Sequence, residues 1–456
     1  MSDEGSAAVP AAVIGLARSG RAAATLLARR GGRVYASDAG DTPELRHVAD
    51  RLRAAGVDVQ LGGHDLERIA RSFLVVVSPG IAPDAAPVTA ARVAGVRVVS
   101  EVRVALDALP QIQVIAVTGT NGKSTTTALI AHLLLQTGRR ACAAGNIGHA
   151  LSELALGDDP PEWVALEMSS FQLHDTPDFS PSVGVLTNLA PDHLDRYAGV
   201  AEYYADKQRM FSAATRESRW VTNADDAAVQ RMAAGVAGTH YRFSLRAEAD
   251  AWYEVATQTL YLFGNRLCTR DELALLGEHN VANALAAVLA VAASARDPRD
   301  AGLAARLAEG LSGFRGLPHR LEIVAEINGV LWVNDSKATN VESARVAIEA
   351  MDRPTVLLMG GRHKGEPYVT LRDGMGHRVR HVIAFGEAGA LIAADLAATG
   401  VPLENVDGGL EEVVSRAAAV ARPGDAILLA PACSSFDMFL NYEERGTRFR
   451  ELVAAQ

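Results

Sequence analysis

The stretch VTGTNGKST, residues 117–125, constrains this chain more than any other. An apolar run, Val114 to Val117, leads into it and an apolar-periodic run, Ala128 to Leu135, leads out. The pattern predicts a buried strand, a glycine-turned loop and a helix. Gly119 and Gly122 let the backbone curl tightly and approach an anion closely. The loop amides around Thr120, Asn121 and Thr125, the ammonium of Lys123 and the hydroxyl of Ser124 would then hold phosphates and a magnesium ion. This is a short P-loop, because only Thr120 and Asn121 separate its two glycines. A glycine turn that merely caps a helix would need Lys123 and Ser124 in place by coincidence. The reading is a protein that handles a nucleoside triphosphate.

With 456 residues the chain exceeds one ordinary domain. Its 49% hydrophobic and 21% charged residues suffice for sizeable cores. The net charge of −10 comes without a basic tract, which argues against a nucleic-acid or anionic-membrane partner. Three cysteines, Cys142, Cys268 and Cys433, lie far apart and suit a reducing compartment better than a disulfide framework. The start, MSDEGSAAVP, has no signal pattern, and the greasiest stretch, Ala284 to Ala295, is too short to span a bilayer. The expectation is a soluble, cytoplasmic protein without membrane insertion.

Residues 11–40 read as strand, glycine turn, helix and a second strand ending in Asp38. Gly15 and Gly20 are present, but Ala17 replaces the middle glycine of a dinucleotide fingerprint. The unit either binds a phosphate-bearing nucleotide or is a packed α/β layer. FLVVVSPGIAP (73–83) and VRVVSEV (96–102) are further strands, and the first domain is placed at 1–109. In the central domain, 110–316, GNIG (145–148) is a glycine-framed loop, and WVALEMSSFQL (163–173) sets Glu167 at a strand end, where P-loop enzymes commonly hold magnesium. A solvated strand-end carboxylate is the alternative. The strand in VGVLTNLAPDHLDRY (183–197) runs into Asp192, His193 and Asp195, a fair metal-binding loop. In AEYYADKQRMF (201–211), Tyr203, Lys207 and Met210 share a helix face. Lys207 there either snorkels to water or has a function. GEHNVANALAAVLAVAASA (277–295) is a long helix, with Asn280 and Asn283 on one face, suited to a base edge; capping explains only one of them.

GFRGLPHRLE (313–322) marks the second boundary, and the last domain is placed at 317–456. Its strands, in VLWVNDSKATN, TVLLMGGRHKG, HVIAFGE and AILLAPACSSFD, each end in polar or glycine-rich loops carrying Asp335, Lys337, Thr339, Lys364, Ser434 and Ser435. Ligands gather at such carboxyl ends, and four in succession argue for a site.

Taken together, GTNGKST, LEMSSFQL, DHLDRY with Lys207, GEHNVANALAA, GLPHRLE, NDSKATN and PACSSFDMFLNYEERG resemble the Mur ligase family, and most of all its glutamate-adding branch. The resemblance runs in order from about residue 10 to the C-terminus. It implies an α/β protein of three domains: a Rossmann-like N-terminal domain for a UDP-substrate, a central P-loop ATPase domain and a Rossmann-like C-terminal domain for the amino acid. The implied reaction joins D-glutamate to UDP-N-acetylmuramoyl-L-alanine with ATP and two Mg2+ ions, in a monomer. Lys123 would hold ATP phosphates, Ser124 and Glu167 one magnesium, His193 and a carbamylated Lys207 the other. Asn280 and Asn283 match adenine contacts, Arg320 a phosphate contact and Asp335 a ribose contact. Lys337, Thr339, Lys364, Ser435 and Tyr442 match the glutamate site. Arg18, Ser19, Asp38, Ser78, Gly80, Asn146, Gln172 and His193 match the muramyl-nucleotide site. Two departures stand out: Ala39 and Gly40 follow Asp38 where the family often has a hydroxyl and an arginine, and Tyr442 stands where phenylalanine is common. Competing readings are another Mur or folylpolyglutamate synthetase-like ligase, a P-loop ATPase driving a partner, and a nicotinamide oxidoreductase.

Overall fold

The structure is a computed structural model and describes residues 10–193, 196–376 and 378–456. Asp195, expected beside Asp192 and His193, lies outside the described residues. Among those residues the chain forms three sheets in sequence order, each dressed with helices, so the expected three-domain α/β class holds.

The first sheet has strands β1 (Ala11–Ile14), β2 (Val34–Asp38), β3 (Asp58–Leu61), β4 (Leu74–Val77) and β5 (Arg97–Ser100) in the order β3-β2-β1-β4-β5. All its pairings are parallel. Runs such as AAVI and LVVV suit strands covered on both faces, and all four residues of β1 are buried.

The second sheet takes β6 (Gln113–Thr118), β7 (Ala141–Gly145), β8 (Trp163–Glu167), β9 (Val183–Leu186), β10 (Arg219–Asn223), β11 (Thr239–Ser244), β12 (Ala251–Glu254), β13 (Thr259–Leu262) and β14 (Asn265–Thr269). Their order is β14-β13-β12-β11-β10-β9-β6-β8-β7. Register decides what this sheet can do. Val117 of β6 lies opposite Glu167 of β8, and Thr118 lies opposite Leu186 of β9. The P-loop, Glu167 and the segment after Leu186 therefore leave one carboxyl edge side by side.

The third sheet holds β15 (Glu322–Ile327), β16 (Val330–Asn334), β17 (Thr355–Gly360), β18 (Val379–Phe385), β19 (Leu403–Val406) and β20 (Ala426–Leu429), ordered β15-β16-β20-β17-β18-β19. Only the edge pair β15–β16 is antiparallel among its pairings. Cores pack on both of its faces.

The chain divides into two compact units, Met1–Leu267 with Ala282–Gly310, and Cys268–Val281 with Leu311–Gln456. In the second unit one buried cation ties the loops together. Arg445, 1% exposed, donates from Nε to Ser336 Oγ (3.0 Å), from one terminal nitrogen to the carbonyls of Ser336 (2.9 Å) and Cys433 (3.2 Å), and from the other to Gly360 (3.3 Å). It thereby joins the segments leaving β16, β17 and β20. Burial pulls its guanidinium down to about 10, still charged at neutral pH. Replacing Arg445 by Ala leaves several buried acceptors unmet. We expect a loss of about 3 kcal/mol or more in urea unfolding of this unit; a change below about 1 kcal/mol would contradict the hub role.

Candidate active site

The helix Lys123–Gln136 begins at Gly122, which holds a left-handed φ of 80°. Gly122 provides no side-chain cap at this helix start, and the positive end of the helix dipole there favours an anion. Space enforces both loop glycines. A Cβ on Gly119 would fall 2.0 Å from Thr187 Oγ1, and one on Gly122 would fall 2.2 Å from Asn283 Oδ1. The loop is latched from β9's exit. Asn188 accepts from the Asn121 amide (2.8 Å) and donates to the Asn121 carbonyl (3.0 Å), while Thr187 donates to that same carbonyl (2.7 Å). Thr120 donates to the Ala190 carbonyl (3.0 Å) and receives the Tyr203 hydroxyl (3.3 Å). Thr125 sits half-buried in the helix's first turn.

Two lysines converge on one carbonyl. Lys123 Nζ donates to Gly119 O (3.1 Å) and Thr120 O (2.7 Å), and Lys207 Nζ donates to Gly119 O (2.6 Å). Lys207 is 1% exposed and lies 4.6 Å from the centre of the Tyr203 ring, so it does not snorkel to water. Burial pushes its ammonium down to about 7, the Lys123 charge pushes the same way, and Asp192 and Glu167 pull back. The neutral amine is accordingly present in quantity near neutral pH.

Glu167, 2% exposed, ends β8. Its Oε1 accepts from Asn146 Nδ2 (2.9 Å), while Oε2 is buried with no hydrogen-bond partner among the described residues. An orphaned carboxylate oxygen beside a phosphate loop fits a divalent cation. Among the described residues no group of three His, Cys, Asp or Glu side chains forms a ready metal cage. Magnesium does not require one, since it takes one or two carboxylates and completes its shell with phosphate and water. His193, at φ 54°, is boxed edge-on by Phe171 (5.3 Å between centroids) and Tyr203 (5.9 Å).

The residues expected at the UDP-substrate lie along the edge of the first sheet and its junction with the second. Asp38 uses both oxygens internally, accepting from Leu16 N (2.7 Å) and Gly40 N (2.9 Å). It shapes the turn, and Gly40, one of the departures, is its partner. Ser78 donates to Gly15 O (2.9 Å), and Arg196 donates to Gly80 O (2.8 Å). Arg18 forms a fork with Glu153 (2.9 Å), and Ser19 follows it in the same helix. Gln172 closes a capping box with Ser169, and it lines, together with Ser78 and Phe171, a cavity of about 20 Å³.

Asn283 accepts from Thr126 Oγ1 (3.3 Å) and fills the space beside Gly122, whereas Asn280 donates to Leu276 O (2.7 Å). In the second unit, burial pushes the Asp335 carboxyl up to about 7 against the opposing charge of Arg320, so these two expected ATP residues are brought together. Lys337 Nζ stands 3.8 Å over the Tyr442 ring. Lys364 Nζ reaches Thr339 Oγ1 (3.5 Å), and Ser435 is buried on the loop after β20. Gly446 is fixed by space, because a Cβ there would meet His319 Nδ1 at 2.2 Å.

Sequence reasoning assigned no role to Thr187, Asn188 or Arg445. The first two stood in plain view after an apolar strand, in VGVLTNLAPDH. No local pattern marks an arginine that turns inward from a charged helix.

Matches to known proteins agree with this layout. Residues 10–100 match the profile of the Mur ligase MurD-like N-terminal domain, 117–291 the Mur ligase middle domain and 319–433 the Mur ligase glutamate ligase domain. A protein of Acidobacterium capsulatum named UDP-N-acetylmuramoylalanine--D-glutamate ligase is 41% identical over 97% of this chain and 95% of its own length. One of the same name from Anaeromyxobacter dehalogenans is 42% identical over 97% of each chain. The crystal structure of the UDP-N-acetylmuramate-alanine ligase MurC of Thermotoga maritima shares the fold at TM-score 0.61 and 20% identity, covering 98% of this chain and 99% of its own. This chain belongs to the Mur ligase family.

Proposed function

We propose that the protein is an ATP-dependent ligase that joins D-glutamate to UDP-N-acetylmuramoyl-L-alanine during assembly of peptidoglycan precursors. The reaction class rests on the convergence of Lys123 and Lys207 at the Gly119 carbonyl beside the unpartnered Glu167 oxygen. The substrates follow the names of relatives that match nearly the whole chain. The domain limits proposed are 1–109 for the UDP-substrate, 110–316 for ATP and 317–456 for the amino acid. We place the enzyme in the cytoplasm as a monomer; no helix among the described residues is long and apolar enough to cross a membrane.

In this reading the substrate carboxylate attacks the γ-phosphorus of ATP, giving an acyl phosphate and ADP. The amine of glutamate then attacks the acyl carbonyl, and phosphate leaves. The first step brings anion to anion. Lys123 and the first-turn amides of its helix neutralise the phosphates, and Arg320 is the further proposed phosphate contact. Ser124 and Glu167 would hold one magnesium ion, and His193 with Lys207 a second. Bound there, the ions would supply charge neutralisation at the phosphoryl oxygens. A cationic Lys207 opposes that task. Reaction of its neutral amine with carbon dioxide gives a carbamate, which replaces a positive charge by a negative one at the same position. Asn280 and Asn283 are the proposed adenine contacts and Asp335 the ribose contact. Lys337, Thr339, Lys364, Ser435 and Tyr442 surround the glutamate. Arg18, Ser19, Asp38, Ser78, Gly80, Asn146, Gln172 and His193 serve the muramyl nucleotide.

The direct test is phosphate release from magnesium ATP with the muramyl substrate and D-glutamate, L-glutamate or no amino acid. Release that requires D-glutamate is expected. Release with L-glutamate alone overturns the stereochemistry, and release with neither overturns the ligase. Lys123→Ala should lower turnover by more than about 100-fold. Lys207→Ala should be nearly inactive but partly restored by added acetate or formate; activity like wild type without rescue would remove the carbamate. Carbamate formation needs the neutral amine, and burial pushes the Lys207 ammonium down to about 7. Activity should therefore fall as pH drops through about 7, and added bicarbonate should offset the loss; a profile flat from pH 6 to 8 would contradict this.

A further inference from the structure

The loop after β17 carries Lys364 and is tied to its surroundings at several points. Arg362 and Ser434 exchange backbone hydrogen bonds (2.9 and 3.1 Å), and the Val341 amide donates to Glu366 Oε2 (3.0 Å). A third tie runs through one atom. The hydroxyl of Tyr368 lies 2.9 Å from Cys433 Sγ and 3.0 Å from His363 Nδ1. Tyr368 is 1% exposed and Cys433 fully buried, so this contact is shielded from water. Burial also pushes the Cys433 thiol up to about 11, which keeps it neutral and a hydrogen-bonding partner rather than a nucleophile. The backbone amide of Tyr368 is held in turn by Asp395 (2.9 Å).

Each end of this relay adjoins a residue proposed for the amino acid. His363 precedes Lys364, whose Nζ reaches Thr339 Oγ1 (3.5 Å), and Cys433 lies two residues before Ser435. Lys364 is itself exposed on a loop, so its ammonium has wide freedom unless the backbone beneath it is fixed. We infer that Tyr368 is a positioning residue for glutamate binding, its hydroxyl setting the Lys364 loop against the Ser435 loop through His363 and Cys433. The inference rests on the proposed amino-acid site. Tyr368 itself need not touch the substrate.

Tyr368→Phe keeps the ring and removes only the bridging hydroxyl. The expected result is a KM for D-glutamate raised roughly three- to ten-fold, the effect of one lost hydrogen bond in preorganisation, with the KM values for ATP and the muramyl nucleotide unchanged. His363→Ala, at a partly exposed position, should shift the same constant and serves if the first variant does not fold. An unchanged glutamate KM in a folded variant overturns the inference, as does a parallel rise in all three KM values. Wild-type protein that fails to use D-glutamate withdraws the functional reading, and the inference with it; wild-type turnover with an unaltered variant withdraws the relay alone.

Discussion

Two ammonium groups that share one carbonyl oxygen set the problem the rest of the first unit answers. Lys123 and Lys207 both donate to Gly119 O, one from the helix after the P-loop and one from the helix Val200–Gln208. Packed this closely, with Lys207 out of water, like charges repel, and an anion between them is the direct remedy. The surrounding fold keeps the pair from separating. Thr187, Asn188 and Tyr203 clamp the loop from behind, and Asn283 occupies the only side on which Gly122 could carry a side chain. A triphosphate, bound as proposed, would relieve the repulsion from one direction. Conversion of Lys207 to a carbamate, as proposed, would relieve it from the other and create an anion where a cation-bound phosphate chain needs one.

The second unit faces a different constraint. Its loops diverge from three neighbouring strands with little secondary structure to hold them, and they carry the groups proposed for the amino acid. Arg445 and Tyr368 answer it from below, each buried and each bridging segments distant in sequence. Their side-chain partners lie at or beyond strand ends, at Ser336, Gly360, His363 and Cys433. The two residues fix the loops, which is why their loss should be felt unequally, in stability for Arg445 and in affinity for Tyr368.

Much of this was legible in the residues. Apolar runs bounded by glycine gave the strands, and the spacing of Gly119 and Gly122 gave the tight loop between strand and helix, because burial and backbone geometry impose local rules. Glu167 at a strand end was readable for the same reason. Lys207 was ambiguous from spacing alone, since an apolar helix face accepts a snorkelling lysine as readily as a buried one; only its surroundings, Tyr203 and the Gly119 carbonyl, separate the two. The latch by Asn188 and the inward turn of Arg445 depend on contacts that are distant in sequence, whereas the capping box of Ser169 and Gln172 is a local pattern spanning three residues. Asp38, proposed at the muramyl nucleotide, also holds its own turn by accepting from the Leu16 and Gly40 amides. Side-chain direction at a strand end is decided by neighbouring loops rather than by the strand.

The claim on which most depends is that Lys207 does not work as a cation. The most direct measurement is carbon-13 NMR of the protein equilibrated with labelled bicarbonate at pH 8, with Lys207→Ala as the control. The account predicts one carbamate carbon signal in the wild-type protein, absent from the variant and sharpened or strengthened by magnesium and ATP. A wild-type spectrum without that signal, in protein that still forms product at full rate, would contradict it.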